Sequence, residues 1–147
     1  MSKLLHPALY EYMSSITGLT DILGTGDDFR FYPFGNVQKS VDMPYLTYFI
    51  ADNEHVHCQG GGAGLTNPRV QLDAWANSKL EAAEIIDICR LALDSFRGTW
   101  GTGDNEITVR LSFIDSDRED FTPPTDGSEI GYYRAQADFM VFFVEEV

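Results

Sequence analysis

Imidazole and thiolate side chains are good zinc ligands, so His55, His57 and Cys58 are the first residues to weigh for chemistry. On an extended segment His55 and His57 share a face, Cys58 points the other way, and His6 lies in a distant element. Neither a Cys-x-x-Cys nor a His-Glu-x-x-His spacing occurs, so the segment reads as a partly exposed strand end. The alternative is a small metal- or ligand-binding enzyme domain using the region from His55 to Cys58. A second cluster sets Asp115, Asp117, Glu119 and Asp120 around Arg118. Paired carboxylates of this kind serve general acid and base work or hold a divalent ion, but the glycine and final glutamate of a calcium loop are missing, and a solvated loop is expected. Gly60, Gly61, Gly62 and Gly64 are not a phosphate loop, because no Lys-Ser or Lys-Thr follows and the next element is a strand. No Gly-x-Ser-x-Gly elbow is present. No catalytic, cofactor or metal site is therefore expected.

Regular elements must position these residues. Val70, Leu72 and Ala74 alternate with Gln71, Asp73 and Trp75, the pattern of a half-buried strand. At Asn77 and Ser78, either of which suits an N-cap, the period turns helical. Leu80, Ala83, Ile86, Cys89, Leu93 and Phe96 then form one apolar stripe on a helix of about five turns that ends near Arg97 and Gly98. Upstream, Leu5, Ala8, Leu9, Tyr12, Met13 and Ile16 recur at helical spacing until Gly18, with room for a short turn at Thr20 to Leu23. Phe29 to Tyr32 is a short or edge strand stopped by Pro33. Tyr45 to Ala51 is a strand, Asp52 to Glu54 a bulge or turn, and the glycine run the tip of a hairpin to the strand from Pro68 to Trp75. Gly98 to Asp104 reads as a glycine-rich turn, and Ile107 to Ile114 as a strand. The acidic run with Pro123 and Pro124 reads as a loop, and Ile130 to Val144 as a last strand. In that strand Ala135, Ala137, Phe139 and Val141 share one row, and Arg134, Gln136 and Asp138 the other. The order predicts an α+β fold of two layers, a mainly antiparallel sheet with two main helices packed on one face.

A chain of 147 residues suits a single domain, 1–147. No apolar run approaches the roughly 20 residues needed to span a bilayer, and the N-terminus lacks a secretion signal, so no membrane partner is expected. A net charge of -13 excludes a surface that binds nucleic acid by neutralising phosphates, though not one past which DNA slides. Cys58 and Cys89 are too few for a disulfide framework or a four-ligand zinc site, and Cys89 reads as a small buried side chain.

Several local features carry a resemblance. They are a helix followed by a short strand with Tyr32 and Pro33, a Pro-Tyr-Leu-Thr-Tyr strand from Pro44 to Tyr48, and a C-terminal strand pair. The most specific is the Arg-Val-Gln-Leu-Asp-Ala-Trp strand from Arg69 to Trp75, which leads straight into the long helix. In these the chain resembles the tail completion or tail terminator proteins of long-tailed bacteriophages, a group also found in prophages and gene transfer agents. The glycine run from Gln59 to Gly64 departs from the shorter turn of that family. The resemblance implies a non-catalytic ring, typically hexameric, that caps the finished tail tube and offers the surface joined to the DNA-filled head. Its partners are then copies of itself, the tail tube protein and the head-tail connector or stopper protein. Its place is the head-proximal end of the virion tail, after assembly in the host bacterial cytoplasm. Arg69, Gln71, Asp73 and Trp75 make a polar face with an aromatic end, which suits a contact to a neighbouring subunit or the tube. Packing of Trp75 in the monomer under a helix end is the other reading, and the same pair of readings applies to Trp100. Gly60, Gly61, Gly62 and Gly64 would form an arm to a neighbour or the tube, or a surface loop disordered on its own. Asp115, Asp117, Arg118, Glu119 and Asp120 would form a docking loop for a basic surface on the tube or connector.

Overall fold

A computed structural model describes residues 5–33, 43–58, 61–122 and 132–144, with side chains described outside 27, 52–65, 120–122 and 132. Three helices occur among the described residues: α1 (Leu5–Ser14), α2 (Thr17–Leu23) and α3 (Lys79–Leu93). The strands are β1 (Phe31–Pro33), β2 (Tyr45–Cys58), β3 (Gly61–Ala76), β4 (Phe96–Trp100), β5 (Ile107–Thr122) and β6 (Tyr132–Val144). They form one mixed sheet in the order β1-β2-β3-β6-β5-β4, and the fold class is α+β. β1 runs parallel to β2, and the other neighbours are antiparallel.

The alternation on β3 and β6 sets the core. Val70, Leu72, Ala74 and Ala76 are buried together with Ala135, Ala137, Phe139, Val141 and Phe143. Leu46 and Tyr48 of β2 and Ile107 and Val109 of β5 extend the same cluster, and Leu9, Met13, Leu19, Leu23 and Ile85 of the helices pack into it. The Ser78 hydroxyl caps α3 by accepting from the Glu81 N–H at 3.1 Å, satisfying one of the donors a helix start leaves free. Tyr12 ties α1 to the end of α3, donating to the Ala92 carbonyl at 2.6 Å while its ring stacks on Trp100 at 5.1 Å. Glu11 accepts from the Thr102 N–H at 2.7 Å and from Asn105 at 3.0 Å, and these bonds, Asn105 first, hold its carboxyl below the usual range.

Several expectations need correction. The first helix stops at Ser14, and the short turn allowed for at Thr20 to Leu23 is the end of a second helix, α2, that starts earlier, at Thr17, and includes Gly18; a Cβ there would meet the Ile88 side chain at 3.3 Å. On α3 the buried residues are Ala82, Ile85, Ile86, Cys89 and Leu93: Ile86, Cys89 and Leu93 of the expected stripe are among them, whereas in the first turns Ala82 and Ile85 are buried in place of Leu80 and Ala83. Leu80 is 71% exposed. The helix also ends earlier, at Leu93, because Ser95 adopts a left-handed φ of 60° and the chain turns into β4. Phe96 therefore belongs to a strand, as do Arg97 and Gly98, and Trp100 at the end of that strand is fully buried in the core. Asp52 to Glu54 do coincide with a register shift in β2.

Leu93 closes the stripe on α3. Replacing it with Ala should cost about 2–5 kcal/mol in a urea titration through lost burial and a residual cavity, whereas Leu80→Ala should stay within about 0.5 kcal/mol. Equal effects would show that the buried face of α3 is misplaced.

Candidate functional site

The face of the sheet opposite the core is built by the alternate residues of the same strands. Register aligns Phe49 with Gln71 and Asp138, Thr47 with Asp73 and Gln136, and Tyr45 with Trp75 and Arg134. At one end Trp75 donates to the Thr47 hydroxyl at 3.3 Å, stacks with Tyr45 at 6.2 Å, and lies under the Arg134 guanidinium at 5.4 Å. At the other end Phe113 and Phe142 stack at 6.2 Å beside the half-buried Met140. Phe49, 48% exposed, is the most open aromatic of the face among the described residues.

Between these ends lies a polar centre. Arg69 reaches from β3 across β6, pairing with Asp115 at 2.7 Å and Asp138 at 3.5 Å. Gln71 donates to Asp73 at 3.3 Å, and Arg118 donates to Gln136. Thr47, Asp73 and Gln136 are at most 3% exposed, although they face away from the core. One oxygen of Asp73 and one of Asp138 are buried without a hydrogen-bond partner among the described residues. Burial pushes the Asp73 carboxyl above its usual range, against the opposing pull of Gln71, Arg134 and Gln136.

On the core side, an open cleft of about 990 Å³ lies between α3 and the lower part of β5 and β6. Ala83, Ile86, Tyr133 and Ala135 give it apolar walls, while Lys79, Arg90, Asp117 and Glu119 bring charge to it. Lys79 pairs with Glu119 at 3.4 Å and Arg90 with Asp87 at 2.8 Å.

Arg69, Gln71, Asp73 and Trp75 thus stand on one face, and Trp75 is half-buried between Tyr45 and Arg134 rather than under a helix end. Asp115, Asp117, Arg118, Glu119 and Asp120 do not form a loop. They continue β5: Asp115 lies at the register shift between Ile114 and Ser116, and the others pair with β6, Arg118 opposite Gln136 and Glu119 opposite Ala135. Gly61, Gly62 and Gly64 are likewise in a strand, β3, where a register shift separates the Val56–Leu65 and His57–Gly62 pairs; Gly60 lies outside the described residues. His55, His57 and Cys58 are in β2 with side chains outside those described, and no group of three or more potential ligands that could hold a metal is found among the described residues. Cys89 is enclosed, and burial pushes its thiol up to about 12, so it is no nucleophile at neutral pH. No helix is long and apolar enough to cross a membrane among the described residues. Phe49 and Phe113 were not singled out in the sequence as residues of this face, whereas Met140 and Phe142 mark where the polar row of the last strand turns apolar, opposite buried Val141 and Phe143.

No protein-family model matches the chain, and no curated protein matches it. Its fold is similar to that of a chain from the virion of a native gene transfer agent particle, with a TM-score of 0.67. That likeness covers 97% of this chain and 95% of the other at 12% identity, so what it shows is a shared fold.

Asp73 gives the outer face a measurable signature. A raised folded value means that its contribution to stability is full below the unfolded value, near 3.8, and is lost as pH rises through the folded value. Asp73→Asn carries no such titration. In paired urea titrations from about pH 3 to pH 7, the variant should gain on the parent protein as pH rises and then level off. A flat difference would place the Asp73 carboxyl in water, and one that falls with pH would show that its partners outweigh its burial.

Proposed function

We propose that the chain is a one-domain, non-catalytic subunit of a phage-like tail. Copies form a ring, hexameric in this reading, on the head-proximal end of the completed tube and offer the surface to which the connector of the DNA-filled head is joined. The observation that supports this most is the fold shared with a gene transfer agent virion chain over nearly the full length of both chains. The sequence resemblance at Arg69 to Trp75 points the same way.

The outer sheet face supports an assembly role physically. A broad face with aromatic residues at its ends and a polar, register-setting centre has the composition of a protein interface, and Trp75 with Arg134 provides the kind of anchor such interfaces use. Net charge of -13 sets copies against one another at low ionic strength and repels DNA passing through a ring.

Purified protein should therefore form rings that become more populated with concentration and salt, and that decorate one end of isolated tail tubes in electron micrographs. Trp75→Ala combined with Phe49→Ser should reduce rings by about tenfold or more while leaving a cooperative melt. Removing the gene from the particle that carries it should leave filled heads apart from tails. Normally joined particles in its absence would overturn the reading.

A further inference from the structure

Leu80 and Leu91 are the most exposed large apolar side chains among the described residues, at 71% and 69%. They are separated by about three turns, or about 16 Å, along α3, so they share one row on its solvent side. The core does not use them, because Ala82, Ile85, Ile86, Cys89 and Leu93 fill the buried side of the helix. Glu84 and Asp87 lie between the two leucines on the same row. Asp87 is paired with Arg90 at 2.8 Å, whereas exposed Glu84 has no ion pair among the described residues.

On the outer face of the sheet, cross-strand rows succeed one another at about 7 Å. Tyr45, Trp75 and Arg134 form the first, Asp73, Gln136 and Arg118 the second, Phe49 and Asp138 the third, and Arg69 and Met140 the fourth. Arg118 donates to the neutral Gln136 and, like Glu84, has no ion pair among the described residues. Its neighbours Asp117 and Glu119 turn to the opposite face of the strand, where Glu119 meets Lys79. The spacings of α3 fit these rows. With Leu80 set on Tyr45 and Trp75 and the helix laid along the strands, Glu84 falls about 6 Å further on, at the level of Arg118. Leu91 then falls about 16 Å further on, between the rows of Phe49 and Met140.

We infer that the solvent row of α3, Leu80, Glu84 and Leu91, docks on the outer sheet face of a second copy of this chain. The inference rests on the ring reading above and gives the ring its contact. A ring of more than two subunits closes only through two different patches on each subunit, because a face that meets its own kind is used up in a pair. The outer sheet face is one patch, and α3, which packs on the inner side of the same sheet, carries the other on its far side. Apolar side chains of the helix meet aromatic ones of the face, and the acid of Glu84 meets the base of Arg118, each of which lacks an ion pair in its own subunit. Such a pair selects register and orientation more than it adds affinity.

The test mixes two full-length variants, each with one patch disabled. The helix variant carries Leu80→Ser and Leu91→Ser, and the face variant carries Trp75→Ala and Phe49→Ser. Each alone should keep a cooperative melt and lose rings by about tenfold or more. Mixed in equal amounts, they should give dimers of one copy of each and nothing larger in native mass spectrometry, since one intact helix row then meets one intact face. Glu84→Arg added to the face variant should weaken these mixed dimers by about fivefold, and Arg118→Glu added to the helix variant should restore them. Rings kept by the helix variant would overturn the inference and leave the ring reading standing. Dimers of the helix variant by itself would overturn it as well, because the outer face would then meet its own kind, and so would a mixture that stays monomeric. Mixed dimers from a parent protein that grows open filaments in place of rings would keep this contact and overturn the ring.

Discussion

In the middle of the sheet, Leu72 stands opposite Ala137 and Ala74 opposite Ala135, and this pairing of β3 with β6 decides both faces at once. On the inner side the alanines leave room for α3, whose Ala82, Ile85 and Cys89 are buried in the same core. On the outer side the same register brings Asp73 opposite Gln136 and Trp75 opposite Arg134. A slip of one residue would turn Arg134 and Asp138 into the core beneath α3, with charged groups taken from water unpaired. Packing of the helix therefore fixes the arrangement of the outer face, although no helix touches that arrangement's central residues in the contacts described above.

The polar links on that outer face act more on geometry than on stability. Arg69 spans three strands by meeting Asp115 on β5 and Asp138 on β6, yet the arginine and Asp115 are substantially open to water. Ion pairs of this kind are worth about 0–1 kcal/mol. Their value is in holding β5 against β6 past the register shift between Ile114 and Ser116. Asp73 is different, because it is closed off from solvent with one oxygen unpartnered among the described residues. A buried acid of this kind costs stability and narrows the set of packings the centre of the face tolerates.

Local signals were legible in the sequence, and long-range ones were not. The strand from Val70 to Ala74, the cap at Ser78 and the faces of β6 could be read because period and capping chemistry are properties of neighbouring residues. The phase of α3 could not be read as securely: Leu80 is the larger apolar residue, but it stands in the first turn, outside the contact, while small Ala82 is inside. β4 was hidden by Gly98 and Gly101, which resemble a turn until Trp100 is seen to need a core position. The acidic half of β5 shows no apolar alternation at all. Its strand is imposed by β6, some twenty residues away, through Gln136 and its neighbours. The outer-face residues from Arg69 to Trp75 were visible as a row, but the rows beside them depended on a register no single segment specifies.

Acidity at the sheet edge answers two physical demands with one set of residues. Among the described residues nothing pairs the outer side of lower β5; an edge of that kind invites any other edge, and charges along it discourage indiscriminate pairing. Those charges act on copies of the chain as well, because every copy brings the same -13. Salt shortens their reach to about 10 Å at 0.1 M, so repulsion between distant surfaces fades while repulsion between strands in contact, about 5 Å apart, persists. The proposed ring contact through the outer face, where charges are largely paired and aromatic residues lie at the ends, avoids joining copies edge to edge. In the proposed ring, contact between like subunits therefore falls on the outer face and away from the acidic edge of β5.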